Sequence, residues 1–110
     1  MEITYLSDAR PYDAPGHQAM AALRLQGGEA SRSRVLVGLS HFLPGGGAEW
    51  SASAVDRVYV VVEGEMTVEV QGGKHTLRPT DSCWIPAGES RGVRNETNLP
   101  ASMLVIIDVC

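Results

Sequence analysis

The chain has 110 residues, 44% of them hydrophobic and 5% aromatic, with a net charge of -4 and a pI near 5.2. That length leaves room for one core and one domain over 1–110, and the acidic balance, with no Lys/Arg run, excludes the basic face that nucleic-acid binding requires. The longest apolar stretch, Met103 to Ile107, is too short to span a bilayer, and the opening Met-Glu-Ile-Thr-Tyr lacks the parts of a secretory leader, so a cytoplasmic protein with no membrane partner is expected.

Twelve glycines and six prolines interrupt the chain often, which favours an all-β fold of short strands. Glu2 to Leu6 is expected as an exposed N-terminal edge strand, with His17 in a loop beyond it. Ala19 to Gln26 has some helix propensity, but Gly16 and Gly27-Gly28 bracket it tightly, and strand is favoured. Ser33 to Leu43 is apolar and is expected to stop at Pro44-Gly45-Gly46-Gly47.

Val55 to Glu63 is β-branched and nearly continuous, as for a strand covered on both faces. Met66 to Gln71 alternates apolar Met66, Val68 and Val70 with polar Thr67, Glu69 and Gln71. Gly72-Gly73 then reads as a two-residue hairpin turn that returns Lys74 to Arg78 antiparallel to it. Beyond the Pro79-Thr80-Asp81 turn come strands at Ser82 to Ile85 and Ser90 to Asn95, separated by Pro86-Ala87-Gly88-Glu89. Ala101 to Val109 closes the chain as a long apolar strand. Some eight or nine strands at this spacing suggest a sandwich, jelly roll or closed barrel. Cys83 and Cys110 form no C-x-x-C pair and read as free thiols.

Two segments carry a resemblance. Residues 45–64, GGGAEWSASAVDRVYVVVEG, have the spacing of the first cupin motif: glycine, five residues, His-x-His, three or four residues, Glu, six residues, glycine. Residues 80–95, TDSCWIPAGESRGVRN, resemble the second motif, which opens on a glycine five residues ahead of Pro-x-Gly and continues to a histidine and an asparagine. Pro86, Gly88 and Asn95 fall in register. The chain therefore resembles the cupin superfamily, which implies a double-stranded β-helix, the jelly-roll barrel of that family.

In metal-binding cupins the motif histidines and glutamate surround one divalent metal, and here those positions hold Ser51, Ser53, Arg57 and Arg91. Serine hydroxyls are poor ligands beside imidazole or carboxylate, and a guanidinium is protonated with no lone pair to offer. No metal and no other cofactor is expected. The histidines, His17, His41 and His75, are scattered and form no ligand pair.

The resemblance implies that Arg57 and Arg91 point to one interior region. Two like charges about 4 Å apart at an effective dielectric of 20 repel by roughly 4 kcal/mol. Three offsets stand open: an anionic ligand, with Ser51 and Ser53 adding hydrogen bonds; pairing with Glu49, Asp56, Glu65 or Glu89; or arginines that leave the barrel mouth. Alternation places Tyr59 and Val61 with Arg57, and Val93 with Arg91. Trp50 is a candidate ligand cap, while Trp84 is expected to pack in the sheet.

The expected function is metal-independent binding of a small organic anion, a carboxylate or phosphate metabolite. If the chain is an enzyme, the resemblance allows isomerase or lyase chemistry with Tyr59 or His41 as catalytic candidates, and Glu49 and Cys83 behind them. A non-catalytic metabolite-binding module and a metal-dependent oxygenase or isomerase with a rebuilt site are the alternatives. A homodimer is expected to cover the exposed edges.

Overall fold

Glycine, proline and aspartate at the turns cut the chain into short extended segments. In the computed structural model, which describes residues 1–29 and 31–108, these segments form nine strands. A 3-10 turn at Leu6–Asp8 precedes β1 (Arg10–Pro11), β2 (His17–Gln26), β3 (Val35–Ala52), β4 (Arg57–Glu63) and β5 (Met66–Val70). β6 (Gly73–Leu77), β7 (Ser82–Ile85), β8 (Ser90–Arg94) and β9 (Ala101–Asp108) follow. The sheet order is β6-β5-β8-β3-β9-β4-β7, with β2 also on β3 and β1 on β2, all antiparallel and curled into a nearly closed barrel.

Several expectations need correction. Glu2 to Leu6 is not a strand: residues 1–5 have no regular structure, and Ile3 and Tyr5 are exposed. Without a paired neighbour an extended segment has nothing to hold it in a sheet. The hairpin turn is Gln71-Gly72, one residue earlier than expected, because Gly73 already pairs with Val70. β4 is buried on one face and only partly covered on the other, where Val58 and Val60 are half-buried. Tyr59 and Val61 are buried, while Val62 on the other face is 45% exposed. Trp84 is exposed, its indole N–H donating to Asp56 Oδ2 at 3.1 Å. Val109 and Cys110 lie outside the described residues.

The largest departure is at Pro44-Gly45-Gly46-Gly47, where a break was expected and β3 continues. The strand changes partner instead of ending: residues 35–42 pair with β9, and residues 47–52 pair with β8. Gly45 takes φ +81° at the bend, a conformation that glycine adopts at little cost. A Cβ at Gly46 or Gly47 would collide with the carbonyl of Ala19 or Val93, so the neighbouring backbones close in only because side chains are absent.

Asn95 locks this bend. Its backbone exchanges hydrogen bonds with Gly45 N (2.8 Å) and Gly46 O (2.8 Å). Its fully buried side chain donates to Phe42 O (3.3 Å) and Leu99 O (2.8 Å) and accepts from Thr97 N (3.0 Å) and Thr97 Oγ1 (2.7 Å). The core fills the barrel interior around Phe42, Tyr59, Val61, Met66, Val93 and Met103.

Candidate functional site

One end of the barrel interior is not filled. A cavity of about 220 Å³ has an apolar floor of Phe42, Val93, Met103 and Val105, and Arg57, Tyr59, Arg91 and Ser51 reach it from β4, β8 and β3. The two arginines therefore share a cavity.

A β-bulge brings Ser51 into this group. Ala48 pairs with Val93 and Ser51 with Arg91, so Glu49 and Trp50 together face the single residue Gly92. Strict alternation from Ala48 would turn Trp50 inward and Ser51 outward; the extra residue reverses both. Trp50 is consequently 50% exposed and lies outside the cavity lining, which corrects its expected role as a ligand cap.

The arginines differ in their partners. Arg91 is 3% exposed and donates Nη1 to Ser51 O (2.7 Å) and Ser51 Oγ (2.8 Å), and Nε to Tyr59 Oη (3.0 Å). Those acceptors are neutral, so the guanidinium is hydrogen-bonded without being neutralised. Arg57 is half-buried, and its Nε is a buried donor with no hydrogen-bond partner among the described residues. Neither arginine has a carboxylate within ion-pair distance among the described residues.

The acids expected to compete for them are engaged elsewhere or apart. Asp56 accepts from Trp84 and from Ala87 N (2.8 Å), Glu65 pairs with Arg78 (3.0 Å), and Glu49 accepts from Gln18 (3.3 Å). Glu89 does not line the cavity. Neither arginine leaves the barrel mouth without meeting the cavity.

Other candidates fall elsewhere. His41 is exposed on the opposite face of β3, its Nδ1 2.7 Å from Ser102 Oγ, because Ser40 and Phe42 take the inward positions on either side of it. It does not reach the cavity. Ser53 accepts from Val55 N (3.2 Å) and does not line the cavity, and Val61 is buried in the core beyond it. Cys83 packs against the core, and burial raises its thiol pKa above the ordinary 9.0.

The fourth wall was missed in the sequence. Tyr12, Asp13 and His17, from the segment between β1 and β2 and the first residue of β2, also line the cavity. Tyr12 N donates to Ala22 O (3.0 Å), and the Arg24 guanidinium stands 4.0 Å over its ring. A Cβ on Gly38 would collide with the Tyr12 hydroxyl, so glycine within an otherwise apolar strand leaves the notch that this tyrosine occupies. That isolated glycine was the available signal for a close approach; nothing local pointed to Asp13.

A metal does not suit these residues. At the motif positions Ser51, Ser53, Arg57 and Arg91 offer hydroxyls and guanidiniums, which make no donor set for a divalent ion; Asp13 and His17 are the two ordinary metal ligands lining the cavity, and among the described residues no three His, Cys, Asp or Glu side chains group to hold one.

A sequence profile of the cupin domain matches residues 38–107. The chain belongs to the cupin family. A curated relative of this cupin, "Beta-D-galactosidase Rv1717" of Mycobacterium tuberculosis, is 42% identical over 108 residues, spanning 97% of this chain and 93% of the relative. Among solved structures, the polyketide cyclase RemF of Streptomyces resistomycificus superposes with a TM-score of 0.86 at 19% identity, over 100% of this chain and 80% of that one. A cupin-superfamily sugar phosphate isomerase, SPO2919 of Silicibacter pomeroyi, gives 0.79 at 25% identity, over 94% and 73%. Among the described residues of this cupin, no helix is long and apolar enough to cross a membrane.

Proposed function

We propose that this cupin binds a small organic anion, a carboxylate or a phosphate ester, between Arg57 and Arg91 without a metal. The observation that carries this reading is the buried Arg57 Nε with no partner among the described residues. A buried donor left unpaired costs about 1–3 kcal/mol, and more when it is charged. A carboxylate or phosphate oxygen supplies the missing acceptor and offsets the repulsion between the two guanidiniums.

Thermal melting in phosphate or acetate tests it. An anion that binds the folded state alone stabilises it by about 2.7 kcal/mol at a hundred times its dissociation constant. The expected result is a rise in melting temperature for wild type that is absent in Arg57→Ala; an equal rise in both overturns the proposal. Elemental analysis tests the metal-free part, since a stoichiometric divalent metal in purified protein would contradict it. The protein is proposed to act in the cytoplasm as a homodimer, for which light scattering giving a monomer mass is the contrary result.

A second reading, β-D-galactoside hydrolysis, is favoured by the relative at 42% identity. Most glycosidases use two carboxylates across the scissile bond, and Asp13 is the one carboxylate lining this cavity among the described residues. Release of nitrophenol from a nitrophenyl β-D-galactoside that Asp13→Asn abolishes would favour this reading. No release would overturn the hydrolysis reading.

A further inference from the structure

The cavity is chemically two-sided. Arg57 and Arg91 present only donors to it. The 12–17 segment brings Asp13, whose ionised carboxylate only accepts, together with His17 and the phenol of Tyr12. Asp13 has no ion pair to either arginine among the described residues, so the two sides do not cancel each other.

His17 has a defined polarity. Its Nδ1 lies 3.0 Å from Pro15 O, and a carbonyl only accepts, so Nδ1 carries the proton. In the neutral ring the nitrogen left for other partners is Nε2, an acceptor.

A bare anion satisfies the arginines but leaves Asp13 as a like charge on the same cavity. A ligand with an acid group at one end and hydroxyl donors at the other suits both sides. Resting on the anion reading above, we infer that the ligand is a hydroxylated acid of the sugar-acid class, its carboxylate held by Arg57 and Arg91 and its hydroxyl groups donating to Asp13 and His17. The arginines then supply affinity for the acid group, and the 12–17 segment supplies the selection of hydroxylated ligands over simple acids.

Calorimetric titration with D-galacturonate, D-galactose and acetate tests this in wild type, Asp13→Ala, His17→Gln and Arg57→Ala, with melting curves verifying that each variant is folded. Asp13 is exposed in a connecting segment, so its replacement leaves the barrel intact. The expected result is galacturonate binding at least about tenfold tighter than acetate or galactose, the range of one hydrogen bond to a charged group. Asp13→Ala should remove that preference, with acetate bound at least as tightly as by wild type because a like charge is gone, and His17→Gln should reduce it. If galacturonate and acetate bind wild type equally, and both are lost in Arg57→Ala, the hydroxyl-reading role is wrong and the anion reading stands. If no acid binds, or Arg57→Ala binds as wild type does, the anion reading fails and this inference with it.

Discussion

Arg57 and Arg91 occupy one cavity on opposite energetic terms. Arg91 gives three hydrogen bonds to Ser51 and Tyr59, whereas Arg57 carries a buried Nε without a partner among the described residues. Arg57→Met removes that orphan donor and one of two like charges, and should raise unfolding free energy by about 1–2 kcal/mol while abolishing the phosphate-induced rise in melting temperature. Arg91→Met strands its acceptors and should lower stability by about 1–3 kcal/mol; urea unfolding of the two variants reads both signs. Thr80, which stands where the second cupin motif has glycine, sits at φ +72°, an outlier for a β-branched residue. Thr80→Gly should therefore stabilise the fold by about 0.5–1 kcal/mol in the same measurement, relieved strain outweighing lost rigidity. The half-buried Cys83 thiol has a raised pKa, so its neutral form favours the folded state. Its contribution is intact below the unfolded pKa and fades as pH rises through the folded one. In a Cys110→Ser background, Cys83 should alkylate more slowly at pH 8 in the native protein than in urea.

At the level of strands, what could be read from sequence was what adjacent residues decide. The turns at Pro79-Thr80-Asp81 and Pro86-Ala87-Gly88-Glu89, the β7 bounds and the extended state of β2 follow from turn chemistry and alternation, and the structure agrees. Errors arose where a distant backbone sets the outcome. Gly45, Gly46 and Gly47 looked like a strand end, but the missing side chains of Gly46 and Gly47 are what let Ala19 and Val93 close on β3. Trp50 was placed on the wrong side because a bulge opposite Gly92 shifts parity, which turns Ser51 inward and Trp50 outward, and parity cannot be counted through a bulge that pairing alone reveals. The close approach gives Gly47→Ala a large effect: its Cβ would meet Val93 O, a backbone atom that cannot rotate away, and chemical denaturation should show a loss of about 3 kcal/mol.

Across the whole molecule, motif spacing placed Arg57 and Arg91 in one cavity because the family's barrel brings those two positions together. It said nothing of the wall formed by Tyr12, Asp13 and His17, which lies outside both motifs and reaches the cavity through tertiary contacts. The anchor of that wall is also remote from the chemistry. Gly38→Ala would drive a methyl group against the Tyr12 hydroxyl and displace the segment without touching either arginine. Galacturonate titration of this variant should show the preference over acetate reduced, with acetate affinity retained.

The unpaired Nε of Arg57 also bears on how this protein would change over generations. A residue that burdens its own fold persists only while something selects for it, since most substitutions there would be tolerated or beneficial to folding. Arg91, tied into the barrel, would be retained for the protein's abundance alone. In a lineage that stops using the ligand, Arg57 should be lost to drift first, and Arg91 should outlast the function it once shared.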